Sequence, residues 1–373
     1  MGDTLTESSW CEISRSKLEQ NLDAVIGLMP ADTLLCAVVK GDAYGHGIEN
    51  VVPLLINRNI SHIGISSNAE ARAVRAAGFQ GRVLRLRSAT PYEVRSAIGD
   101  RVEELVGSQL SLEQLIKTLG AAALPNLHLS LNAGGMSRDG LELSTGFGRT
   151  ELQKMVALAP DKIIGLCTHF PSNAAEDLAA SIARFHQDCD WVFTNTSLTR
   201  ANVLTHAGST LTLRAQQDPK TDMMRCGAIL YGIKGPRPAF QSALALKARV
   251  ISIGHYPEGS SVGYDRSCRL QENKVLASIA LGYANGYSRL FSGRGAVLIG
   301  GQKVPVLGKV SMNTIVADIT SVPAVAIGDE VVAFGHQGDQ SIGSSEIEEI
   351  TSSIMADVFT DWGQRNARVA RQS

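Results

Sequence analysis

Leu34-Leu-Cys-Ala-Val-Val39-Lys40-Gly-Asp-Ala-Tyr44-Gly-His-Gly47 is an apolar run that ends on a lysine, then a glycine-rich loop that enters a helix-spaced segment at Ile48. An unbroken apolar run marks a strand covered on both faces, as parallel strands are. Seven more short runs repeat the pattern: His62–Ile65, Arg82–Leu86, Glu103–Val106, Leu127–Leu131, Ile163–Thr168, Asn202–Thr205 and Cys226–Leu230. Between them lie segments with helical spacing, such as Asn68–Ala77, Pro91–Ile98, Leu110–Leu119 and Ala174–Phe193. Eight strands with intervening helices predict an α/β fold, a (β/α)8 TIM-type barrel of about 250 residues. Its last helix, near Asp222–Arg225, is expected to be very short. A doubly wound sheet is the alternative, but no G-x-G-x-x-G follows the first strand.

Beyond residue 240 the texture changes. Lys247–Ile253, Val275–Leu281, Ala296–Ile299, Val304–Val306, Thr314–Ile319 and Glu330–Phe334 are β-rich runs separated by Gly, Pro and Asn, and Ser344–Trp362 reads as a closing helix. This is antiparallel hairpin chemistry. The expected division is a barrel over residues 12–240 and a mostly-β C-terminal domain over 241–373, to which residues 1–11 contribute a strand that is read at about Ser9–Ile13.

The 373 residues are 44% apolar, enough for a sizeable core. Lys plus Arg number 35 against 36 Asp plus Glu, a net charge of −1, which argues against a general polyanion binder, and no nucleic-acid partner is expected. No run approaches the roughly 20 apolar residues of a membrane helix. The start carries no basic segment and no apolar core of a leader, so the cytoplasm is the expected compartment, or the periplasm if a signal peptide was removed. Cys11, Cys36, Cys167, Cys189, Cys226 and Cys268 show no C-x-x-C and no zinc spacing, so no metal site is expected.

At the C-terminal end of a barrel strand, where active sites sit, Lys40 is placed to act as nucleophile or base once desolvated. The segment around it closely resembles the cofactor-lysine motif of the fold-type III pyridoxal-phosphate enzymes, the alanine racemases. The resemblance runs almost end to end. Ser130-Leu-Asn-Ala-Gly-Gly-Met136-Ser-Arg138-Asp-Gly140, Cys-Thr-His169-Phe, Thr205-His206-Ala-Gly-Ser209 and Arg225-Cys-Gly227-Ala-Ile-Leu-Tyr231-Gly232 are similar to its later barrel motifs. Val262-Gly-Tyr264-Asp-Arg266, Gly282-Tyr283-Ala-Asn-Gly-Tyr287-Ser-Arg289 and Gly308-Lys-Val-Ser311-Met312-Asn313 match in the second domain. Gly81–Thr90 with Arg85 and Arg87, the Gly-Met-Ser-Arg segment, Ser261–Arg266 and the ending Asp361-Trp-Gly-Gln look most like the broad-specificity amino-acid racemase branch.

That resemblance implies pyridoxal 5'-phosphate carried by Lys40, and a two-base interconversion of L- and D-amino acids by Lys40 and Tyr264. Inverting a stereocentre requires a proton to leave one face and return on the other. A free tyrosine titrates near pH 10 and needs help at neutrality; His169 and Arg225 resemble the chain that helps it. Arg225 resembles the arginine that faces the cofactor's ring nitrogen. Tyr44, Ser209 and the amides of Gly227 and Ala228 correspond to phosphate ligands. Arg138 and Met312 correspond to substrate-carboxylate ligands, and Tyr283 to a residue at the site's entrance. Tyr264 and Tyr283 are implied to come from the partner chain of a homodimer with shared active sites.

Four departures stand out. Leu131 replaces a carbamylated lysine, which leaves Asn132 to hold an anion such as chloride near Arg138. Gly208 replaces an Asn, Asn313 an Asp, and Phe359 a phosphate-contacting tyrosine, a loss that weakens cofactor binding by about 1–3 kcal/mol. Relatives of this kind carry a disulfide starting at a position like Cys36, but His62 occupies its partner position. The expected substrates are alanine or serine together with lysine or arginine; a strict alanine racemase is the alternative. Further off stand a decarboxylase, which would want an acidic residue where Arg225 is, and a non-catalytic pyridoxal-phosphate carrier, which would lack the second domain.

Overall fold

A computed structural model describes residues 6–172, 174–234 and 239–372. Met1–Leu5, part of the stretch read as the chain's start, lie outside them. The described chain divides into two units, one of Glu19–Ala43 with Ile48–Phe240, the other of residues up to Leu18 with Tyr44–Gly47 and everything from Gln241.

The first unit is the barrel. After β1 (Ser9–Ser14), the strands β2 (Leu34–Val38), β3 (His62–Ile65), β4 (Arg82–Ser88), β5 (Val102–Val106), β6 (Leu127–Ser130), β7 (Ile163–Cys167), β8 (Leu204–His206) and β9 (Met223–Cys226) close on themselves in that order. Every pairing is parallel, and β2 returns to β9 with Cys36 opposite Arg225. Helices begin where the sequence supplies caps. Ser67 and Glu70 form a capping box for the helix Asn68–Ala76, and Thr90, Pro91 and Glu93 do the same for Pro91–Ser96.

Seven of the eight strands lie within two residues of their sequence reading. The eighth does not. Cys226–Leu230 was the expected strand and Asp222–Arg225 the expected helix, whereas Met223–Cys226 is the strand and Ala228–Tyr231 a 3-10 turn. The short helix of that last crossover is Thr210–Arg214. An inward-facing arginine interrupts the apolar run and hides β9; Met223, two residues earlier, packs inside with Cys36 and Leu84. The seventh, Leu204–His206, overlaps its expected run Asn202–Thr205 with a small shift toward the C-terminus. Cys36 stands beside His62 across β2 and β3, and all six cysteines are free thiols.

The pleat sends alternate side chains into the barrel and out to the helices. On β4 and β5 the outward Arg85 and Glu104 pair at 2.8 Å, with side chains 0% and 1% exposed, and Asn68 Oδ1 accepts from Arg85 Nη2 at 2.6 Å. Removing one member leaves the other charge buried alone. Glu104→Ala is therefore expected to destabilise the fold by about 3–5 kcal/mol in urea unfolding, while a paired replacement by well-packed apolar residues costs far less. A loss of about 1 kcal/mol or less, the range of an exposed pair, would contradict this.

In the second unit, β10 (Leu244–Tyr256), β11 (Ser261–Val262), β12 (Cys268–Arg269), β13 (Lys274–Ile279), β14 (Ala296–Ile299), β15 (Gln302–Leu307), β16 (Ile315–Asp318), β17 (Glu330–Gln337), β18 (Gln340–Ile342) and β19 (Ala367–Arg371) follow in order. Antiparallel pairings run β10–β13–β16–β15–β14–β17, and β17 returns to β10, closing six strands into a ring. β1 lies between β10 and β19. The expected single helix over 344–362 is two, Ser344–Thr351 and Met355–Arg365, broken at Ser352 with φ +53°. No helix among the described residues is long and apolar enough to cross a membrane.

Candidate active site

Lys40 follows β2 at the mouth of the barrel, and the backbone after it turns left-handed. Gly41, Asp42, Ala43 and Tyr44 have φ of 64°, 51°, 56° and 53°. Only glycine adopts this region without cost; each other residue there stores about 1–2 kcal/mol. Hydrogen bonds hold the turn in place. Ala43 N–H donates to Val39 O at 2.7 Å, Gly41 N–H to Glu70 Oε1 at 2.7 Å, and Ile48 N–H to Asp42 Oδ1 at 2.9 Å. Tyr231 Oη donates to Val38 O at 3.0 Å, bracing the strand end two residues before Lys40. Lys40 opens on solvent, but the protein packed around it disfavours the charged amine. Its pKa is lowered first by that desolvation and then by Arg138 and Arg225, against an opposing pull from Glu70.

Arg225 enters from β9, the neighbouring strand, and is 9% exposed. Its Nη1 donates to His206 Nδ1 and His206 O, each at 2.9 Å, and its Nη2 to Thr168 O at 2.7 Å. Thr168 in turn donates through its hydroxyl to Leu131 O at 2.8 Å and Ala133 O at 3.1 Å. The three bonds use three of five guanidinium hydrogens. His169 follows Thr168 directly. Desolvation, then the charges of Arg225, Arg138 and Lys40, pull its pKa down to about 4, so the ring is neutral near pH 7. Lys40, Arg138, Arg225 and His169 thus share one electrostatic neighbourhood.

Ser209 caps Thr210–Arg214, its Oγ accepting Leu211 N–H at 3.3 Å, so its own hydroxyl hydrogen remains to donate elsewhere. Gly227 and Ala228 lie at the start of the 3-10 turn after β9. Asn132 is differently occupied than expected. Its Nδ2 donates to Glu142 Oε2 at 2.9 Å and its Oδ1 accepts Ser137 N–H at 2.7 Å, which places a carboxylate where chloride was expected. The geometry lends that anion no support. Asp139 accepts the Ser130 hydroxyl at 3.3 Å.

In the β unit, Tyr264, Tyr283 and Met312 are exposed by 62%, 38% and 54%. Gly263 and Gly308 stand back to back, so that a Cβ on Gly308 would meet Val262 O at 2.5 Å and one on Gly263 would meet Lys309 N at 2.8 Å. This close approach seats Tyr264 beside the Gly308–Met312 loop, and Lys309 pairs with Asp265. Tyr283 N–H donates to Ser311 O at 3.1 Å, and Ala284 N–H to Met312 O at 2.9 Å. Phe359 is fully buried against Phe334, Trp362 and the edge of His46.

Several polar residues around the site escaped the sequence reading. Glu70 is one; its capping-box spacing is the available signal, but its bond to Gly41 runs from the helix after β3 to the turn after β2. Thr168, His128 and Glu103 are others, buried inside the barrel, where the sequence shows only polar residues interrupting apolar strands. Among the described residues, no cluster of three or more His, Cys, Asp or Glu is placed to hold a metal ion.

Comparison with known proteins agrees with this fold. The family description "Alanine racemase, N-terminal domain" matches residues 13–235, and "Alanine racemase, C-terminal domain" matches residues 243–370. The chain belongs to the alanine racemase family. It is 41% identical to a lysine racemase of Proteus mirabilis over 98% of this chain and 90% of that protein. It is 39% identical to a broad specificity amino-acid racemase of Aeromonas hydrophila, over 98% and 91%. Its fold matches an alanine racemase of Bacillus anthracis with bound L-Ala-P at a TM-score of 0.88 and 24% identity, covering 99% of this chain and 96% of that one. It matches an alanine racemase of Bartonella henselae with covalently bound pyridoxal phosphate at 0.83 and 22%, covering 98% and 100%.

Proposed function

We propose that this chain is a pyridoxal 5'-phosphate-dependent amino-acid racemase of broad side-chain range, working as a homodimer. The observation that carries the reading is the pairing of Lys40, an amine with lowered proton affinity at a barrel-strand end, with a pinned arginine on the adjacent strand. The residues suit the cofactor's three demands. Lys40 supplies the amine its carbonyl carbon needs. Arg225, always charged, retains N–H donors for the ring nitrogen. Tyr44, the Ser209 hydroxyl and the Gly227 and Ala228 amides are the phosphate ligands. When bound, the cofactor supplies an electron sink that makes the substrate's Cα–H acidic.

The remaining work falls to the chain's own groups. The lowered pKa of Lys40 favours the neutral amine, the form that takes a proton from one face of Cα. Tyr264 of the β domain (241–373) returns one on the other face of a substrate held in a partner's barrel (12–240), with Tyr283 at the entrance. Its exposure leaves it available to a second copy. Neutral His169 can accept a hydrogen bond from the phenol without taking its proton, because desolvation first, and then Arg225, Arg138 and Lys40, disfavour the charged ring. Arg138 and the Met312 backbone hold the substrate carboxylate. Arg225, a permanent cation, would hold the ring nitrogen without giving it a proton, which would weaken the sink and suit inversion over decarboxylation.

The names of the relatives and the replacement of a lysine-centred arrangement by Leu131 and Asn132 support a range that includes lysine, arginine or both with alanine or serine. Steric exclusion of a longer chain needs bulky, rigid walls, since one methylene is worth only about 1–3 kcal/mol. The test is kcat/KM for alanine, serine, lysine, arginine and glutamate. Comparable values for alanine and a basic substrate are expected, with glutamate poor. A strong preference for alanine over every longer substrate would instead establish the strict enzyme.

A further inference from the structure

The inside of the barrel carries a line of polar contacts that leads away from the mouth. His206 on β8, which receives the Arg225 bond at Nδ1, has its Nε2 3.0 Å from His128 Nδ1 on β6. His128 Nε2 lies 3.0 Å from Glu103 Oε2 on β5. Glu103 Oε1 accepts from Arg82 Nε on β4 at 2.7 Å and from Asn126 Nδ2 at 3.4 Å. The line skips β7, and the reason is on that strand: a Cβ on Gly165 would sit 1.9 Å from His128 Nδ1. A bare glycine is what lets the ring reach across to His206. The imidazoles are 1% and 0% exposed.

The two ends fix the direction of every bond between them. A guanidinium can only donate and a carboxylate can only accept. His206 Nδ1 must therefore be a lone pair, so its hydrogen is on Nε2 and points at His128 Nδ1. His128 then carries its own hydrogen on Nε2, facing Glu103. Both rings are neutral in this arrangement, which matches the downward pull of burial, first, and of nearby Arg225 and Arg82 on both. For His128 the bond to Glu103 opposes that pull without reversing it.

We propose that Glu103 and His128, on strands remote from β9, are positioning residues for Arg225: they set the tautomer of His206, and with it the lone pair that anchors the guanidinium. The proposal rests on the racemase reading only for the consequence at the cofactor; the tautomers stand apart from it.

Glu103→Gln tests it, because the amide cannot do what the carboxylate does. Its oxygen stays with the two donors Arg82 and Asn126, so its NH2 faces His128 Nε2 and demands a lone pair there. Both rings must then reverse, and His206 turns an N–H toward Arg225. Histidine-selective 15N NMR of the full chain as purified, assigned with His128→Gln, reads this directly. The wild type is expected to show both rings as neutral Nε2–H tautomers, Glu103→Asp to keep them, and Glu103→Gln to convert them. With cofactor bound, Glu103→Gln is expected to shift the visible absorption maximum and to lower kcat by about 10- to 100-fold with KM little changed, as other carboxylates that orient histidines do; Glu103→Asp is expected to recover both. A wild-type His206 that is charged or carries its hydrogen on Nδ1 overturns the proposal, whether or not any variant folds. So does a Glu103→Gln chain with reversed tautomers and unaltered spectrum and kcat. Expected tautomers in a chain that binds no cofactor would overturn the racemase reading and leave the relay standing.

Discussion

Lys40→Ala is expected to remove racemisation and the visible absorption of bound cofactor in one step. On the proposed reading both properties rest on the same nitrogen: the amine that joins the cofactor is also the base on one face of the substrate. Loss of a positioned acid or base alone costs about 10²–10⁴-fold in rate. Loss of covalent attachment adds to that, so activity should fall below detection in an ordinary assay. The fold should survive, because Lys40 is exposed at the barrel mouth and the turn behind it is held by backbone donors from Gly41, Ala43 and Ile48. Borohydride treatment of the wild type should fix the cofactor on the peptide that holds Lys40. A label on any other lysine, or an active Lys40→Ala enzyme, would end the assignment.

Tyr264→Phe separates attachment from chemistry. The substitution deletes one oxygen from a side chain 62% exposed, so neither stability nor the cofactor's absorption should change. Racemisation should drop by about 10²–10⁴-fold, since only one face of Cα keeps its acid or base. The homodimer reading adds a sharper expectation. A mixture of Lys40→Ala and Tyr264→Phe subunits contains hybrid dimers in which one site draws an intact lysine from one chain and an intact tyrosine from the other. Part of the activity should return on mixing. No return, with subunit exchange demonstrated, would place Tyr264 in the site of its own chain or outside any site.

Much of this architecture was legible in the sequence because covered parallel strands are locally written. Leu34–Val38, His62–Ile65 and Ile163–Cys167 are buried throughout or nearly so, and their apolar runs say as much. β9 was misread for the opposite reason: Arg225 points into the barrel, and a charge inside a strand looks like an interruption. The same rule hid Glu103 and His128. Each is satisfied only by a partner on another strand, His128 by one 25 residues before it and one 78 residues after. No local periodicity encodes that. Gly165 is the clearest case, since nothing near it in sequence explains a glycine in mid-strand; the ring it accommodates comes from β6. The left-handed turn after Lys40 was equally silent, because Asp42, Ala43 and Tyr44 have no intrinsic preference that would announce it. The motif residues were readable only through family resemblance, which supplied roles for Lys40, Tyr264 and Arg225 that spacing alone would not.

The most direct test of the reaction itself is to incubate a single enantiomer, L-lysine or L-alanine, with the purified chain and pyridoxal 5'-phosphate in deuterated water. Products are then resolved by chiral chromatography with mass detection. The expected result is D-enantiomer carrying solvent deuterium at Cα, approaching equal amounts of the two forms. Release of CO2 with an amine product, or unchanged L-amino acid beside a cofactor demonstrably bound at Lys40, would contradict it.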